Sequence, residues 1–178
     1  MTIEQTKIKD LFLVQLDPRE DHRGYFARTY CRTEFSKAGI NDDFVQMNMS
    51  FNKLKGTVRG LHFQIDNFAE IKYVRCVKGA IFDVVVDLRK ESKTFLETFS
   101  VELSEINGKG LVIPKGCAHG FQTLENNVII TYCHSEYYSP GNESGVLYND
   151  PLLGIKWPLV PTRVSERDKG YNKLDNTL

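Results

Sequence analysis

The 178-residue sequence has little of several features that would point to particular protein classes. Its four cysteines form no Cys-x-x-Cys pair, so neither a disulfide framework nor a zinc site is indicated. No apolar run approaches the roughly 20 residues of a membrane span, and the polar start MTIEQTKIKD differs from a signal peptide. The 23 basic and 23 acidic residues cancel, which gives no reason to expect nucleic-acid or membrane binding. We therefore expect a cytoplasmic protein with reduced thiols.

What the sequence does have is many short strands separated by turn residues. Apolar and β-branched alternation predicts strands over 11–16, 24–30, 44–51, 57–63, 71–77, 81–88, 95–103, 110–114 and 127–135. Only RTEFSKAG (32–39) suggests a helix, which Gly39 would end. Strands this frequent, without helices between them, favour an antiparallel sandwich or barrel.

We expect a single domain over residues 1–178. From about residue 140 the strand pattern gives way to a segment rich in Pro, Gly and Asn, but Trp157 and several leucines indicate that this segment packs. In strand 81–88, alternation places the apolar side chains on a core-forming face and Asp83 and Asp87 on the opposite face.

Three predicted strands carry titratable side chains where alternation predicts apolar ones. The first contains His62, which lies on the face opposite to Arg59. The second contains Lys72 and the third contains Tyr132. Each has an ordinary structural explanation: a hydrogen-bonded core histidine, a lysine on an exposed edge, or a core tyrosine. The lysine is the most informative, because burying an ammonium group costs several kcal/mol unless a partner offsets it.

Two motifs resemble those of the cupin superfamily. PKGCAHGF (114–121) has a Pro-x-Gly turn before His119, and the run from His62 through Gln64 to Glu70 is similar to the first cupin motif. Metal-binding cupins have a second histidine where this chain has Gln64. His62, Glu70 and His119 would still form a 2-His-1-carboxylate set. A metal-dependent cupin oxygenase or isomerase is therefore one alternative function.

A more specific resemblance covers nearly the whole chain and is to the dTDP-4-dehydrorhamnose 3,5-epimerase family, a non-metal branch of the cupins. It rests on blocks in the family's order: DHRGYF (21–26), FVQMN (44–48), KGTVRGLHFQ (55–64), IKYVRCVKG (71–79), FDVVVDLRKES (82–92), IPKGCAHGF (113–121), YYSP (137–140), YNDPLLGIKWP (148–158) and SERD (165–168). The resemblance implies an all-β cupin-type jelly roll with a few short helices. It also implies a homodimer with exchanged N-terminal strands, and an isomerase that needs no metal or organic cofactor.

The resemblance also implies a role for individual residues. Family members remove a proton beside the keto group of a nucleotide-linked 4-keto-6-deoxyhexose and return it on the opposite face through an enolate. By the match, His62 is the base, Tyr132 the acid and Asp168 the carboxylate that orients the imidazole. Lys72 and His119 would lie near the enolate oxygen. The other matched positions would contact the nucleotide sugar: Arg23, Phe26, Arg28, Gln46, Asn48, Arg59, Tyr138, Glu143 and Arg167.

Two positions depart from the family pattern, which has a glutamate where this chain has Arg28 and an aspartate where it has Met47. A guanidinium offers only hydrogen-bond donors where a carboxylate accepts. The departures leave the acid and base in place, but they leave open which base the nucleotide carries. Inversion at C3, at C5 or at both carbons is open as well.

A second alternative is a sugar-nucleotide-binding module without catalytic activity. The presence of His62, Lys72, Tyr132 and Asp168 argues against it, because binding alone needs no acid and base on opposite faces of a sugar.

Overall fold

The computed structural model describes residues 1–174, so positions 175–178 of the expected C-terminal segment lie outside the description. Within residues 1–174 the strands are β1 (Thr2–Gln5), β2 (Phe12–Gln15), β3 (Arg19–Asp21), β4 (Gly24–Phe26), β5 (Gln46–Asn52), β6 (Val58–Gln64), β7 (Lys72–Lys78), β8 (Ala80–Asp87), β9 (Thr98–Ser104), β10 (Lys109–Ile113), β11 (Cys117–Thr123), β12 (Val128–His134) and β13 (Glu143–Gly145). The α-helices are α1 (Arg32–Lys37) and α2 (Glu166–Lys169), and single 3-10 turns lie at Asp66–Phe68, Pro140–Asn142 and Pro151–Leu153. In this part of the chain no helix is long and apolar enough to cross a membrane.

Two antiparallel sheets form the body of the molecule. The six-stranded sheet has the order β1-β2-β10-β7-β12-β5, and the five-stranded sheet has the order β13-β6-β11-β8-β9. Strands β3 and β4 form a separate hairpin. The two sheets share one apolar core, so the architecture is a jelly-roll sandwich. The predicted all-β cupin-type fold is confirmed.

Some strands of the structure were not predicted from alternation. Strand β11 was missed because all of its residues are buried, and a strand covered on both faces does not alternate. Strand β1 was missed because its four residues are mostly polar. The predicted helix at 32–39 is present as α1, and Gly39 follows it with φ of 90°, a left-handed conformation that favours glycine.

Both outer faces of the sandwich are covered in part. Helix α1 lies on the six-stranded sheet, where buried Phe35 packs edge-on against Tyr73 with ring centroids 5.2 Å apart. Full burial of such a ring stabilises the fold by roughly 1.5–3 kcal/mol. The segment after β13 lies on the five-stranded sheet, where Leu153 and Trp157 join a cluster that contains Leu61 of β6. The same segment places α2 beside β6, and α2 contacts that strand.

The two faces of β8 differ from the prediction. Asp83 and Asp87 are fully buried on the inward face together with Val85, and the apolar face is the one that the C-terminal segment covers. Alternation shows which residues share a face, but it does not show which face points inward when both are buried. The carboxylates are accommodated by partners: Nε2 of His119 lies 2.8 Å from Asp83, and Arg89 Nε donates to Asp87 at 2.8 Å.

Candidate active site

A cavity of about 280 Å³ opens between the two sheets. The six-stranded sheet contributes Lys72 from β7 and Tyr132 and His134 from β12, whereas the five-stranded sheet contributes His62 from β6 and His119 from β11. Facing sheets pack about 10 Å apart. Side chains from the two sheets can therefore approach a ring-shaped ligand from opposite sides.

Arg59 and His62 both line this cavity, so the prediction that they lie on opposite faces is wrong. Across β6 and β11, His62 pairs with His119 while Arg59 pairs with Phe121. Three steps along β6 therefore match two steps along β11, which is a β-bulge with one extra residue. The extra residue places the side chain of Arg59 on the cavity side, as it does not alternate with His62. Leu61, which lies between Arg59 and His62 in the sequence, packs into the cluster with Leu153 and Trp157 on the other face of the sheet.

His62 forms a hydrogen-bonded pair with Asp168 of α2. Oδ1 of Asp168 lies 2.8 Å from Nε2 of His62, and its Oδ2 accepts from the backbone N–H of Gly60 at 3.2 Å. Burial opposes ionisation of Asp168, but the bonds from His62 and Gly60 outweigh it and hold the pKa of this carboxyl below its usual value. The ionised carboxylate favours the tautomer with hydrogen on Nε2. Nδ1 has no hydrogen-bond partner within residues 1–174, so it is free to accept a proton.

Tyr132 approaches the cavity from the opposite sheet. Its hydroxyl lies 2.9 Å from Oγ of Ser50 on the neighbouring strand β5. Burial raises the pKa of Tyr132 to about 12, although the hydrogen bond with Ser50 acts in the other direction. The phenol therefore stays protonated at neutral pH and can serve as a proton donor.

Lys72 lines the cavity, so the alternative explanation of a lysine on an exposed edge does not hold. Its side chain is 14% exposed, and its Nζ lies 3.0 Å from Oε1 of Glu70. The other oxygen of Glu70 lies 2.8 Å from Nδ1 of His134, whose Nε2 is 3.3 Å from Nδ2 of Asn48. Burial disfavours the Glu70 carboxylate, yet His134 and Lys72 together hold its pKa below the usual value. The pair keeps a lysine cation at the cavity wall, where it can stabilise negative charge on a ligand oxygen.

The three potential metal ligands, His62, Glu70 and His119, are engaged with different partners. His119 lies 2.8 Å from Asp83, and the other two make the contacts described above. Between residues 1 and 174, no three His, Cys, Asp or Glu side chains are grouped as a metal site requires. Complete burial raises the pKa of Asp83, and its Oδ1 has no hydrogen-bond partner in the same part of the chain.

Polar residues at the mouth of the cavity are linked to one another. Glu143 of β13 accepts from Tyr138 Oη at 3.1 Å and from Arg167 Nη1 at 2.8 Å. Nη2 of Arg167 also lies 3.2 Å from Nε2 of His62. Because a guanidinium only donates and Nε2 carries the hydrogen that faces Asp168, this is a close approach of two donors and not a hydrogen bond. Gln46 lies nearby and accepts from the backbone N–H of Tyr138 at 3.2 Å.

Comparison with known proteins identifies the family. The family model described as dTDP-4-dehydrorhamnose 3,5-epimerase matches residues 5–176. The chain belongs to this epimerase family. It is 41% identical over 175 residues to the dTDP-4-dehydrorhamnose 3,5-epimerase of Sinorhizobium fredii, covering 98% of this chain and 90% of that protein.

Comparison with solved structures supports the same family assignment. The Bacillus anthracis dTDP-4-dehydrorhamnose 3,5-epimerase with TDP and PPi bound has a TM-score of 0.95 and 40% identity, over 97% of this chain and 99% of that one. The Legionella pneumophila dTDP-6-deoxy-D-glucose-3,5-epimerase in complex with dTDP-4-keto-L-rhamnose has a TM-score of 0.92 and 36% identity, over 97% and 92%. The predicted family and the predicted reaction class, an isomerase that epimerises a 4-keto-6-deoxyhexose, are confirmed.

Gln46 does not line the cavity but lies beside Tyr138 at its mouth, and three other positions that the epimerase resemblance assigned to ligand binding lie outside the cavity of a single chain. Arg23 and Phe26 belong to the β3–β4 hairpin, where Arg23 donates to Asp21 at 2.5 Å and Phe26 is 74% exposed. Arg28 follows the hairpin and donates to Glu34 at 2.6 Å. The chain thus brings together the expected acid–base residues but leaves these three at a distance from them.

The cavity also contains residues that the sequence prediction did not assign to it. Ser50 and His134 are the partners of Tyr132 and Glu70. The signal for His134 is its spacing of two residues from Tyr132 in one strand, which places both side chains on the same face. Asp83, the partner of His119, carried no such signal because it was expected on the face away from the core.

Proposed function

We propose that this chain inverts C3 and C5 of a dTDP-linked 4-keto-6-deoxyglucose, with His62 as base and Tyr132 as acid. One observation carries the proposal: His62, whose Nδ1 has no hydrogen-bond partner within residues 1–174, and Tyr132, whose hydroxyl is protonated, come from opposite sheets and line the same cavity. Inversion requires removal of a proton from one face of the sugar and its return to the other, and this arrangement supplies both groups.

Each inversion proceeds in two proton transfers. Nδ1 of His62 takes the proton from the carbon beside the keto group, and the electrons of the broken C–H bond move to the keto oxygen. Lys72 and His119 flank the place where this oxygen would become negative, and a cation there stabilises the enolate. Tyr132 then donates its proton to the other face of the carbon. Solvent returns a proton to the phenolate and removes one from His62, so the enzyme is unchanged.

The size of the cavity indicates how the substrate lies. Small-molecule sites usually measure about 300–1,000 Å³, and a cavity of about 280 Å³ suits the sugar better than the whole nucleotide sugar. The nucleotide would then cross the mouth. Arg59 lines the cavity; its Nε donates to Asn52, while its terminal nitrogens have no hydrogen-bond partner within residues 1–174. A guanidinium edge of this kind fits a diphosphate.

We further propose that the active form is a homodimer in the cytoplasm. The edge strand β5 exposes an apolar row of Met47, Met49 and Phe51, which are 67%, 71% and 55% exposed, and such an edge favours association. A second copy would bring its own Arg23 and Phe26 to the mouth, where a cation and an aromatic ring would complete the nucleotide site. The cytoplasmic assignment is supported by four free thiols.

The decisive experiment is proton NMR of the protein with dTDP-4-keto-6-deoxyglucose in deuterated water. We expect loss of both the C3 and C5 proton signals and formation of the inverted sugar. Loss of one signal would make it a single-carbon epimerase, and exchange only with a GDP-, CDP- or UDP-linked sugar would refute the thymidine assignment. Tight binding without exchange would favour the non-catalytic module, and activity abolished by a chelator and restored by metal would favour the metal-dependent alternative.

A further inference from the structure

Four side chains form a continuous chain of hydrogen bonds from the mouth of the cavity to the proposed acid. Nε of Arg59 donates to Oδ1 of Asn52 at 2.7 Å, and Nδ2 of Asn52 donates to Oγ of Ser50 at 3.3 Å. Oγ of Ser50 lies 2.9 Å from the hydroxyl of Tyr132. Asn52 is the buried centre of this chain, with 2% of its surface exposed.

The chemistry of Arg59 fixes which groups donate and which accept along this series of hydrogen bonds. A guanidinium has donors only, so Asn52 must turn its oxygen to Arg59 and its NH2 group to Ser50. With its oxygen accepting from Asn52, the Ser50 hydroxyl is favoured to donate to the oxygen of Tyr132. The proton of Tyr132 is then free to point at the substrate.

We propose that Asn52 is a positioning residue that couples the phosphate-binding group Arg59 to the acid Tyr132. The proposal rests on the proposed function and adds a residue that the family resemblance did not assign. When Tyr132 gives up its proton, the phenolate needs a hydrogen-bond donor in a buried place, and Ser50 supplies one as long as Asn52 holds it in orientation. A diphosphate on the outer edge of Arg59 would fix the other end of the chain.

Three observations support this coupling. The bulge in β6 is what returns Arg59 to the cavity side, within reach of Asn52. Burial raises the pKa of Tyr132, whereas Ser50 and Arg59 act to lower it, as expected for groups that stabilise the phenolate. The alternating residues Asn48, Ser50 and Asn52 give β5 a polar inner edge beside the apolar core.

The test uses Asn52→Asp, which keeps the size of the side chain and the acceptor for Arg59 but removes the N–H donor. The new carboxylate would accept the Ser50 proton and turn that hydroxyl away from Tyr132. Abstraction by His62 should continue, and His62 can return deuterium from the solvent to the same face. We therefore expect exchange without inversion: the ratio of deuterium in recovered substrate to inverted product should rise about 10- to 100-fold, the usual value of a hydrogen bond to a charged group.

Ser50→Ala removes the donor to Tyr132 directly and should raise the same ratio, which keeps the test decisive if Asn52→Asp does not fold. Asn41→Asp, the same change at an exposed residue outside the cavity, is the matched control and should leave the ratio unchanged. A purely structural role for Asn52 would lower exchange and inversion together and leave the ratio within about twofold of wild type, which would overturn the proposal. A wild-type protein without exchange or inversion would refute the proposed function instead.

Discussion

Replacing Asp168 by asparagine should disable the base without removing it. The hydrogen-bonding partners of this carboxylate are both donors, Nε2–H of His62 at 2.8 Å and the backbone N–H of Gly60 at 3.2 Å. Nε of Arg167, also a donor, lies further away at 3.6 Å from Oδ1. An amide has one oxygen for the two donors, so its NH2 group must face one of them. Gly60 cannot change, but His62 can move its hydrogen to Nδ1, and that nitrogen is the one that has to accept the substrate proton.

The size of the effect follows from the lost bond. A hydrogen bond to a charged group contributes about 1.5–3 kcal/mol, which corresponds to about 10- to 100-fold in rate, and the tautomer change adds to this. We expect kcat for α-proton exchange in deuterated water to fall at least 100-fold, with KM within about threefold of wild type. Asp150→Asn is the control, because this buried carboxylate likewise accepts two hydrogen bonds, in its case both from backbone N–H groups, but lies outside the cavity. Exchange by Asp168→Asn within threefold of wild type would refute the assignment of Nδ1 as the base.

Three further predictions test other parts of the molecule. Tyr132→Phe should lower inversion by about 10²- to 10⁴-fold, the usual contribution of a general acid, while proton exchange persists; parallel loss of both by NMR would contradict its role. Arg23→Ala should raise KM about tenfold through a lost phosphate contact with little change in kcat, and no change in steady-state KM would exclude the hairpin from the site. For Asp87, burial opposes ionisation but Arg89 and neighbouring hydroxyls prevail and lower its pKa to about 2 from 3.8. A carboxyl group with a lowered pKa stabilises the fold at pH values above its unfolded-state pKa, and this stabilisation is lost as the pH falls toward 2. Asp87→Asn should therefore lower the free energy of unfolding by roughly 2 kcal/mol at pH 7 and by less at pH 3. If the difference between variant and wild type in urea unfolding is no smaller at pH 3 than at pH 7, the role of the carboxylate is disproved.

The sequence predicted much of the fold because most strands have one polar and one apolar side. The prediction failed for strands that lack this difference between their two sides. Strand β11 is buried on both faces and does not alternate, and β8 has two buried faces, so its aspartates were assigned to the wrong side. Neither error is visible without knowing that the C-terminal segment covers the outer face of the five-stranded sheet.

The candidate site was predictable in part for the same reason. Alternation placed Lys72 and Tyr132 on inner faces, and both line the cavity. It separated Arg59 from His62 because a bulge of one residue leaves no mark in the sequence pattern. The pairing of His62 with Asp168 joins residues 106 positions apart, so it came only from the family resemblance.

The inner surface of the sandwich also has a consequence for how this fold changes over time. The carboxyl group of Asp83 is buried and one of its oxygens has no partner within residues 1–174, and charged Glu70 and Lys72 occupy space where apolar side chains would pack. Replacing buried ionic groups by well-packed apolar ones is often neutral or stabilising, and catalytic sites commonly reduce stability in this way. A protein of this fold that no longer needed the reaction would be free to fill its cavity. Polar residues kept at these inner positions would therefore mark the relatives that still work as enzymes.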